Sequence, residues 1–479
     1  MKPMIRTAVA LVGAAGAASA ALMLHRSNSS AATRSPNKAP ESPVACGSPG
    51  AAHAEAKLTH GRLGGAMSAG TLLRNSGGEA YAAFELTTEN VADKTRPPLD
   101  LALVIDHSGS MSDGRIEHAK SAALGLISHL GEQDHVALVE YDDAADVLVS
   151  STAMDDHGKD TLRHAIERIQ LGGGTNLNDG LVLGRKEVER VYTTGQVSRL
   201  ILLSDGHANV GVTETPRIAE TARDAANHGT RITSVGIGLD FNEDLMEAIA
   251  EAGRGNYHYV REATDLDKVI AGEMAAIQAT VATNVELRLT PACNGVEITA
   301  IHGYESHKDG ASYVIPMADL VGNDSRKLLV SMKVPDGQKG RIGTVHAELV
   351  YRDAKGSAVR KANVDLGLEV GEDAAVASAS IDQNVMAQAL QIDAAASMRQ
   401  AADAYEHGDQ AGAAQIIDSS TRRIQDKGAR YKIAPEKTAD TMNSLGEMQK
   451  KATEYKPGSD EGKDMLKASK SKARVMSKK

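Results

Sequence analysis

The sequence has few aromatic side chains and almost no cysteine. Its 479 residues include no Trp and only two Phe, although 42% are hydrophobic. A buried core must therefore consist mainly of aliphatic side chains and alanine. The two cysteines, Cys46 and Cys293, are too few for a disulfide framework and lack the close spacing of a zinc site. One disulfide between them and two separate thiols both agree with the sequence.

An excess of positive charge is also missing. The formal net charge is −10, whereas a nucleic-acid-binding protein needs a basic face for the phosphates. The glycine-rich motifs that hold nucleotide phosphates, Gly-x-Gly-x-x-Gly and Gly-x-x-x-x-Gly-Lys-Ser/Thr, do not occur where a strand would lead into a helix. We therefore expect neither a nucleic-acid partner nor a phosphate-binding loop of these kinds.

The N-terminal segment has the pattern of an export signal. Lys2 and Arg6 precede an apolar stretch over residues 7–24, and Ala18-Ser19-Ala20 is a candidate cleavage site. The stretch is also long enough to cross a bilayer. A cleaved signal peptide and an uncleaved N-terminal anchor both remain open. Either one predicts an exported protein in the periplasm, on the cell surface or secreted, with membrane contact only through such an anchor.

One stretch in the middle of the chain carries the main functional signal. Five apolar residues, 101–105, run directly into Asp106, which is followed by Ser108 and Ser110. A short continuous apolar run is typical of a strand that is buried in a parallel sheet. Open α/β sheets bind ligands at the carboxyl ends of such strands. A carboxylate and two hydroxyls at this position are oxygen ligands for a hard divalent cation.

Two later stretches add matching groups. Thr175 follows a run of three glycines at 172–174, and Asp205 follows a second apolar strand that includes residues 200–203. Together with the Asp-x-Ser-x-Ser stretch, they resemble the metal-ion-dependent adhesion site of a von Willebrand factor type A (VWA) domain. The resemblance covers about Pro98 to Ile277. It implies that one cation is held by five residues: Asp106, Ser108, Ser110, Thr175 and Asp205.

The resemblance also implies the nature of the cation and of its ligand. Mg²⁺ is favoured, with Ca²⁺ and Mn²⁺ as alternatives, since all three accept oxygen ligands. In this family a carboxylate from a partner protein completes the coordination shell, so we expect a protein ligand with an acidic group. Residues beside the motif are candidates for the partner-binding rim: His107, Asn176, His207 and Asn209.

The secondary-structure pattern predicts the fold class. Strands and helices alternate over residues 99–279, which predicts a doubly wound, mostly parallel sheet. Alternating strands before and after this segment predict an antiparallel β-sandwich into which the α/β domain is inserted, as in bacterial exported VWA proteins. The predicted segments are a signal or anchor (1–25), a flexible linker (26–56), first β-domain strands (57–98), the VWA domain (99–279), the rest of the β-sandwich (280–372), a helical hairpin (373–456) and a Lys/Ser-rich disordered tail (457–479).

Three kinds of function are compatible with this organisation. The first is a non-enzymatic, metal-dependent protein-binding module of the adhesion type. The second is an envelope scaffold that acts through the β domain and the helical segment. The third is a metal-dependent hydrolase, which needs a base or nucleophile near the cation. The sequence lacks His-Glu-x-x-His and Gly-x-Ser-x-Gly, and His107 and Asp142 are the nearest candidate bases. We therefore predict a binding module without enzymatic activity.

Overall fold

A computed structural model describes most of the chain beyond the N-terminal segment. The described residues are 50–90, 97–192, 196–238, 241–261, 265–292, 295–354 and 358–478. The signal or anchor, most of the linker, Cys46 and Cys293 lie outside these ranges, so their assignments stay predictions. No helix in the described ranges combines the length and the apolar character that crossing a membrane requires.

Four strands precede the α/β region (residues 97–279). Strand β1 begins within the segment predicted as linker (26–56), so the linker prediction is wrong from residue 53 onward. The reason is that β1 pairs along its whole length with β2 and alternates in burial. The bounds are β1 (His53–Leu58), β2 (Gly61–Met67), β3 (Thr71–Leu73) and β4 (Glu79–Thr88).

The α/β region alternates strands and helices. Its elements are β5 (Leu99–Asp106), a 3₁₀ turn (Gly109–Met111), α1 (Arg115–Ile127), β6 (His135–Tyr141), β7 (Ala145–Ala153), α2 (Asp156–Glu167), α3 (Leu177–Val191), β8 (Val197–Ser204), α4 (Thr215–Asn227), β9 (Arg231–Ile237), α5 (Glu243–Ala252), β10 (Arg254–Val260) and α6 (Leu266–Gln278).

The described strands of this region form one sheet in the order β10-β9-β8-β5-β6-β7. Every neighbouring pair is parallel except β6 with β7. Helices α1, α2 and α6 cover one face, and α3, α4 and α5 cover the other, each with its own apolar core. Because both faces are covered, β5 and β8 are buried at every residue.

Strand order reverses between β5 and β8. From β5 the chain moves outward through β6 and β7, and it then returns to β8 on the other side of β5. Such a switch point leaves a crevice outside the carboxyl ends of the two strands, because the connections leave in opposite directions. The fold thus places the ends of β5 and β8 side by side, which is where the two predicted acidic ligands lie.

The strands after the α/β region are β11 (Thr280–Pro291), β12 (Glu297–His302), β13 (His307–Asp309), β14 (Ser312–Pro316), β15 (Leu320–Val321), β16 (Ser325–Lys333), β17 (Gly340–Asp353) and β18 (Val359–Gly371). With β1–β4 they form two sheets, β1-β2-β4-β16-β12 and β13-β14-β11-β17-β18-β3. All pairs are antiparallel except β18 with β3.

The two sheets enclose a shared apolar core. Strands from before and after the α/β region pair directly, because β4 runs against β16 from Glu79 opposite Lys333 to Thr87 opposite Ser325. The α/β region therefore leaves and re-enters one β-sandwich. This architecture, with helices following it, confirms the predicted fold class.

The C-terminal part is mainly helical through Lys478. Its described helices are α7 (Ala374–Ala379), α8 (Gln383–Glu406), α9 (Gln410–Arg430), a 3₁₀ turn (Pro435–Lys437), α10 (Ala439–Glu454) and α11 (Asp460–Lys478). The hairpin predicted over 373–456 corresponds to α8 and α9, and α10 adds a third long helix to it.

The disordered tail predicted at 457–479 is wrong for residues 460–478, which form α11. Its apolar residues are few, but Met465, Ala473 and Met476 lie at helical spacing and join the core of α8–α10. Lys467 and Lys470 are buried as well. Lysine side chains can bury their alkyl stems while the ammonium group finds a polar or aromatic partner. A count of apolar residues therefore underestimated how much of this helix packs.

Candidate metal site at the strand switch point

The first candidate ligand, Asp106, is the last residue of β5 and is fully buried. Its Oδ1 accepts a hydrogen bond from the Ser108 amide at 2.9 Å, and its Oδ2 accepts one from Ser204 Oγ at 2.6 Å. The Tyr141 hydroxyl also donates to Oδ2, at 3.3 Å. Burial raises the pKa of Asp106 to about 6, the bonds from Ser108 and Ser204 oppose the rise, and the charge of Asp205 adds to it.

The second carboxylate, Asp205, directly follows β8 and is 3% exposed. Its Oδ2 accepts a hydrogen bond from the Arg115 guanidinium at 3.2 Å. Its Oδ1 is buried and has no hydrogen-bond partner among the described residues. A buried carboxylate oxygen without a donor is costly, and a bound cation is one way to compensate it.

The serine pair lies in the turn after β5. The hydroxyl oxygens of Ser108 and Ser110 lie 3.0 Å apart. Ser108 is buried and Ser110 is exposed, so the pair reaches from Asp106 toward solvent. The 3₁₀ turn Gly109–Met111 keeps the two side chains on one side of the loop. Arg115 also donates to the Ser110 carbonyl, which ties this loop to Asp205.

Thr175 is fixed on both sides by one residue of the loop after β8. Its amide donates to Asn209 Oδ1 at 2.8 Å, and its carbonyl accepts from the Asn209 amide at 3.1 Å. The threonine is buried. The loops that carry Thr175 and Asp205 are therefore joined directly, which positions the hydroxyl relative to the second carboxylate.

The glycines before Thr175 allow two acidic side chains to approach the backbone. Asp142 Oδ2 and Asp143 Oδ1 each accept a bond of 3.0 Å, from the amides of Gly173 and Gly174 respectively. A Cβ atom at Gly172 would lie 2.2 Å from Asp142 Oδ2. A side chain at this position would therefore displace the loop. Asp142 and Asp143 act here as loop anchors.

The glycine loop is also attached to the Asp-x-Ser-x-Ser loop. The Gly109 amide donates to the Gly173 carbonyl at 2.9 Å, and the Gly172 amide donates to the His107 carbonyl at 2.7 Å. All three loops of the candidate site are thus connected by backbone hydrogen bonds.

The donor set fits a hard divalent cation. It combines two buried carboxylates with hydroxyls on the adjoining loops, and one carboxylate oxygen lacks a partner. No group of three or more His, Cys, Asp or Glu side chains with metal-binding geometry occurs in the described ranges. A cation here would therefore depend on the serine and threonine hydroxyls, and soft thiolate or imidazole coordination does not apply.

The four predicted rim residues have different environments. His207 and Asn209 are exposed at the edge of the site, although the Asn209 side chain is bonded to Thr175. The side chain of His107 is only 14% exposed, and its Nδ1 donates to the Gln170 carbonyl at 2.7 Å. It therefore holds two loops together.

The rim assignment of Asn176 stays a prediction, and this residue is less accessible than His207 and Asn209. Asn176 is 6% exposed, and its Nδ2 donates to Asp179 Oδ2 at 2.8 Å. It occupies the position before the first turn of α3. Its Nδ2 also donates to the Asp143 carbonyl at 3.3 Å, whereas its Oδ1 accepts no hydrogen bond from the described residues.

Three residues that contact the candidate ligands were missed in the sequence. Ser204 and Tyr141 support Asp106, and Arg115 supports Asp205. A signal existed for Tyr141, because it ends β6 and lies opposite Asp106 in the parallel register. Arg115 has no such signal, since it reaches Asp205 across a separation of 90 residues.

The α/β region is similar to known proteins in sequence and in fold. The family described as von Willebrand factor type A domain matches residues 100–271. The uncharacterized protein YfbK of Escherichia coli (strain K12) is 31% identical over 195 residues, which cover 40% of this chain and 34% of that protein. The uncharacterized protein sll0103 of Synechocystis sp. (strain ATCC 27184 / PCC 6803 / Kazusa) is 28% identical over 268 residues, 54% of this chain and 62% of that protein.

The chain thus spans between a third and two thirds of these relatives' length. Among solved structures, the von Willebrand factor type A protein from Catenulispora acidiphila superposes with a TM-score of 0.66 at 19% identity, over 81% of this chain and 91% of that one. At this identity the likeness concerns the fold alone. Together with the family match, it shows that the chain contains a von Willebrand factor type A domain.

Proposed function

We propose that the protein is a non-enzymatic, metal-dependent binding module that captures an acidic group of a partner protein. VWA domains commonly act in protein–protein interaction. The observation that carries the proposal is the buried Oδ1 of Asp205, which lacks a donor beside a second buried carboxylate. We infer that a divalent cation, Mg²⁺ or alternatively Ca²⁺ or Mn²⁺, is held by the five candidate ligands Asp106, Ser108, Ser110, Thr175 and Asp205.

When bound, the cation supplies a positive centre that accepts a carboxylate oxygen of the partner. The chain's own residues keep that centre open to one side. Asp106 is held from beneath by Ser204 and Tyr141, whereas Ser110 is exposed. Partner groups would therefore approach over Ser110, with His207 and Asn209 at the edge of the approach.

The candidate bases support a binding role better than a hydrolytic one. The Nδ1 of His107 donates to a backbone carbonyl, and the Asp142 carboxylate accepts amide bonds from Gly173 and Ala144. Both groups are used to hold loops together. The remaining nitrogen of His107, Nε2, lies 3.9 Å from Asp142 Oδ1 on a side chain that is only 14% exposed. A general base instead needs a free position within hydrogen-bond reach of a substrate or water.

Export belongs to the same proposal. The N-terminal pattern of basic residues, an apolar stretch and small residues supports a location outside the cytoplasm, with the protein either released or anchored at its N-terminus. A binding module on that side of the membrane would meet envelope or extracellular proteins.

The test is capture from an envelope extract with the unmodified chain in Mg²⁺, the unmodified chain in EDTA, and Asp106→Ala in Mg²⁺. Asp113→Asn is the matched control, since Asp113 is an exposed acid in the loop before α1. We expect one partner that is retained only by the unmodified and control proteins in Mg²⁺. Its binding should also disappear when the acidic residues of its binding segment are neutralised. Equal retention in EDTA would contradict the proposal and favour the scaffold alternative.

A further inference from the structure

A cleft of about 1090 Å³ opens at the end of the VWA sheet opposite the candidate metal site. Its walls come from the amino ends of β8, β9 and β10, from β-sandwich loops around Tyr304 and Asp319, and from the last turns of α11. The cleft is thus the place where the three parts of the chain meet. Its volume is at the upper end of the range for small-molecule sites, about 300–1,000 Å³.

The cleft carries more positive than negative charge, although the whole chain is acidic. Among the described residues that line it, six arginines and one lysine face five carboxylates. Two of the arginines, Arg199 and Arg231, share the single carboxylate of Asp319 at 2.8 and 3.2 Å. One positive charge of that trio is therefore left without its own counter-ion.

Arg254 is a second guanidinium group in the cleft without an ion pair of its own among the described residues. No Asp or Glu oxygen of the described residues lies within salt-bridge distance of it, whereas neighbouring Arg223 pairs with Glu305 at 3.1 Å. Arg254 donates to Asn227 Oδ1 at 2.6 Å and to the Ala226 carbonyl at 3.4 Å. These bonds use part of the five N–H donors of the guanidinium. Burial and the charge of Arg231 lower the pKa of Arg254 to about 10, although the carboxylates of Glu286 and Glu305 act to raise it.

The backbone presents Arg254 to the cleft in an uncommon conformation. Arg254 has φ of +53°, in the left-handed region that non-glycine residues rarely adopt. A Cβ on the next residue, Gly255, would lie 2.1 Å from the Ile232 carbonyl oxygen. The segment Gly253-Arg254-Gly255 therefore packs closely against β9, and Arg254 is its only residue with a side chain. Strained residues of this kind are concentrated at functional sites.

The two guanidinium groups meet at one point. Arg231 and Arg254 both donate to the Ala226 carbonyl, at 3.0 and 3.4 Å, where α4 ends. Capping a helix C-terminus with basic side chains is a common structural role. One guanidinium group is enough to cap the C-terminus of α4. The second therefore places an additional positive charge at the cleft wall.

We propose that this cleft binds a small dianionic molecule, a phosphate ester or a dicarboxylate, with Arg254 as the main contact for the anionic group. Guanidinium groups bind both kinds of oxyanion through paired N–H donors. Arg231, which is buried behind Arg254, adds positive potential. The site is separate from the candidate metal site, because the two lie at opposite ends of the VWA sheet.

The experiment is calorimetric titration of the full chain in EDTA with glycerol 3-phosphate, with succinate, and with glycerol as the neutral control. EDTA removes divalent cations, so that neither anion can bind through the candidate metal site. We expect one of the two anions to bind and glycerol not to bind. Arg254→Gln should weaken that binding about tenfold or more, which corresponds to about 1.4 kcal/mol.

Two further variants keep the test decisive. Arg62→Gln is the matched control, because Arg62 lies on β2 with a half-exposed side chain and does not line the cleft. This variant should bind like the unmodified protein. Arg254→Lys keeps the charge but loses the paired donors, and should bind with intermediate affinity. Equal affinity in Arg254→Gln, or no binding of either anion at 10 mM, would overturn the proposal and leave Arg254 as a helix cap. Neither result bears on cation binding at Asp205.

Discussion

Two buried aspartates at opposite ends of the VWA domain are treated differently by the chain. Asp319 reaches the amino end of the sheet, where Arg199 and Arg231 contact it. Burial acts to raise its pKa, but the two guanidinium groups outweigh burial and lower it. Asp106 lies at the carboxyl end, where burial prevails and raises its pKa to about 6.

The difference shows that the fold itself supplies the counter-charge at the amino end of the sheet. At the carboxyl end, a bound cation would have to supply it. At the amino end, arginines from β8 and β9 neutralise Asp319 and so join the VWA domain to the β-sandwich. At the carboxyl end, Asp205 pairs with the partly exposed Arg115, and Asp106 has no ion pair among the described residues. Polarity alone does not distinguish the two ends. The balance of fixed charge does, and only substitutions at the carboxyl end should change how the stability of the protein responds to added cations.

The largest effect should come from Asp319→Asn. It leaves Arg199 and Arg231 buried without a carboxylate, and breaking a buried ion pair in this way costs about 3–5 kcal/mol. We expect that loss in urea unfolding, with no dependence on Mg²⁺. The matched control is Asp309→Asn, which removes a 61% exposed partner of Arg288 and should cost less than about 1 kcal/mol. Equal effects of the two variants would show that the Asp319 cluster does not join the two parts.

The next effect concerns added Mg²⁺. If the cation binds the folded protein alone, a concentration 100 times its dissociation constant stabilises the protein by about 2.7 kcal/mol. We expect the unmodified chain and Asp113→Asn to show this increase in thermal unfolding, and Asp205→Asn to lose it. Asparagine tolerates the positive φ of +59° at position 113, so this control should fold normally. An unchanged response of Asp205→Asn would remove Asp205 from the ligand set.

The sequence predicts most of the charged groups at the carboxyl end of the sheet, but few of those at the amino end. Apolar runs that end in Asp106 and Asp205 are local patterns, and parallel strands bring their carboxyl ends to one edge. The trio of Asp319 with Arg199 and Arg231 spans separations of 120 and 88 residues, and no local pattern marks it. It depends on how the sandwich docks against the sheet.

Contacts that the sequence does not reveal also explain the environments of Asn176 and α11. Asn176 is predicted at the rim because it follows Thr175, and in the structure its Nδ2 is bonded to Asp179 of α3. The helix α11 was missed because lysine counts as polar in any hydropathy pattern. In the structure, Lys467 Nζ lies 3.5 Å from the centre of the Phe241 ring. Such a contact becomes visible only when the tertiary neighbours are known.

A third buried aspartate, Asp100, differs from both Asp319 and Asp106. Asp100, near the amino end of β5, is fully buried, and neither carboxylate oxygen has a hydrogen-bond partner among the described residues. His135 Nδ1 lies 3.7 Å from its Oδ1. Burial, and then the charge of Asp134, raise the pKa of Asp100 from 3.8 to about 7.

This raised pKa gives a pH dependence of defined sign. Below about pH 4 the carboxyl is protonated in both states. Between about pH 4 and 7 the folded protein keeps a proton that the unfolded chain has lost, so stability falls as pH rises. Asp100→Asn should therefore raise the thermal midpoint by several degrees at pH 8 and have little effect at pH 4. The exposed Asp146→Asn should shift neither, and a uniform gain at both pH values would refute the assignment.

The smallest effect should come from α11, which runs along the VWA domain from one end to the other. Lys470 pairs with Asp244 of α5 and Glu406 of α8, and Lys478 pairs with Glu251 at the far end of α5. Near the metal-site end, a Cβ on Gly206 would lie 3.2 Å from the Phe241 side chain, against which Lys467 packs. The helix therefore contacts elements next to both charged regions.

Reversing one charge on α11 should loosen this contact without unfolding the domain. Lys470→Glu replaces two attractive pairs with like-charge contacts, and we expect a loss of about 1 kcal/mol together with faster proteolysis at residues 455–459. Lys472→Glu, exposed on the same helix, is the matched control and should be cut at the unmodified rate. High salt should accelerate cleavage of the unmodified chain and reduce the difference between it and Lys470→Glu, because it screens these partly exposed pairs. If salt and the substitution both leave the rate unchanged, apolar packing holds α11 in place, and the two ends of the VWA domain are not connected through its charges.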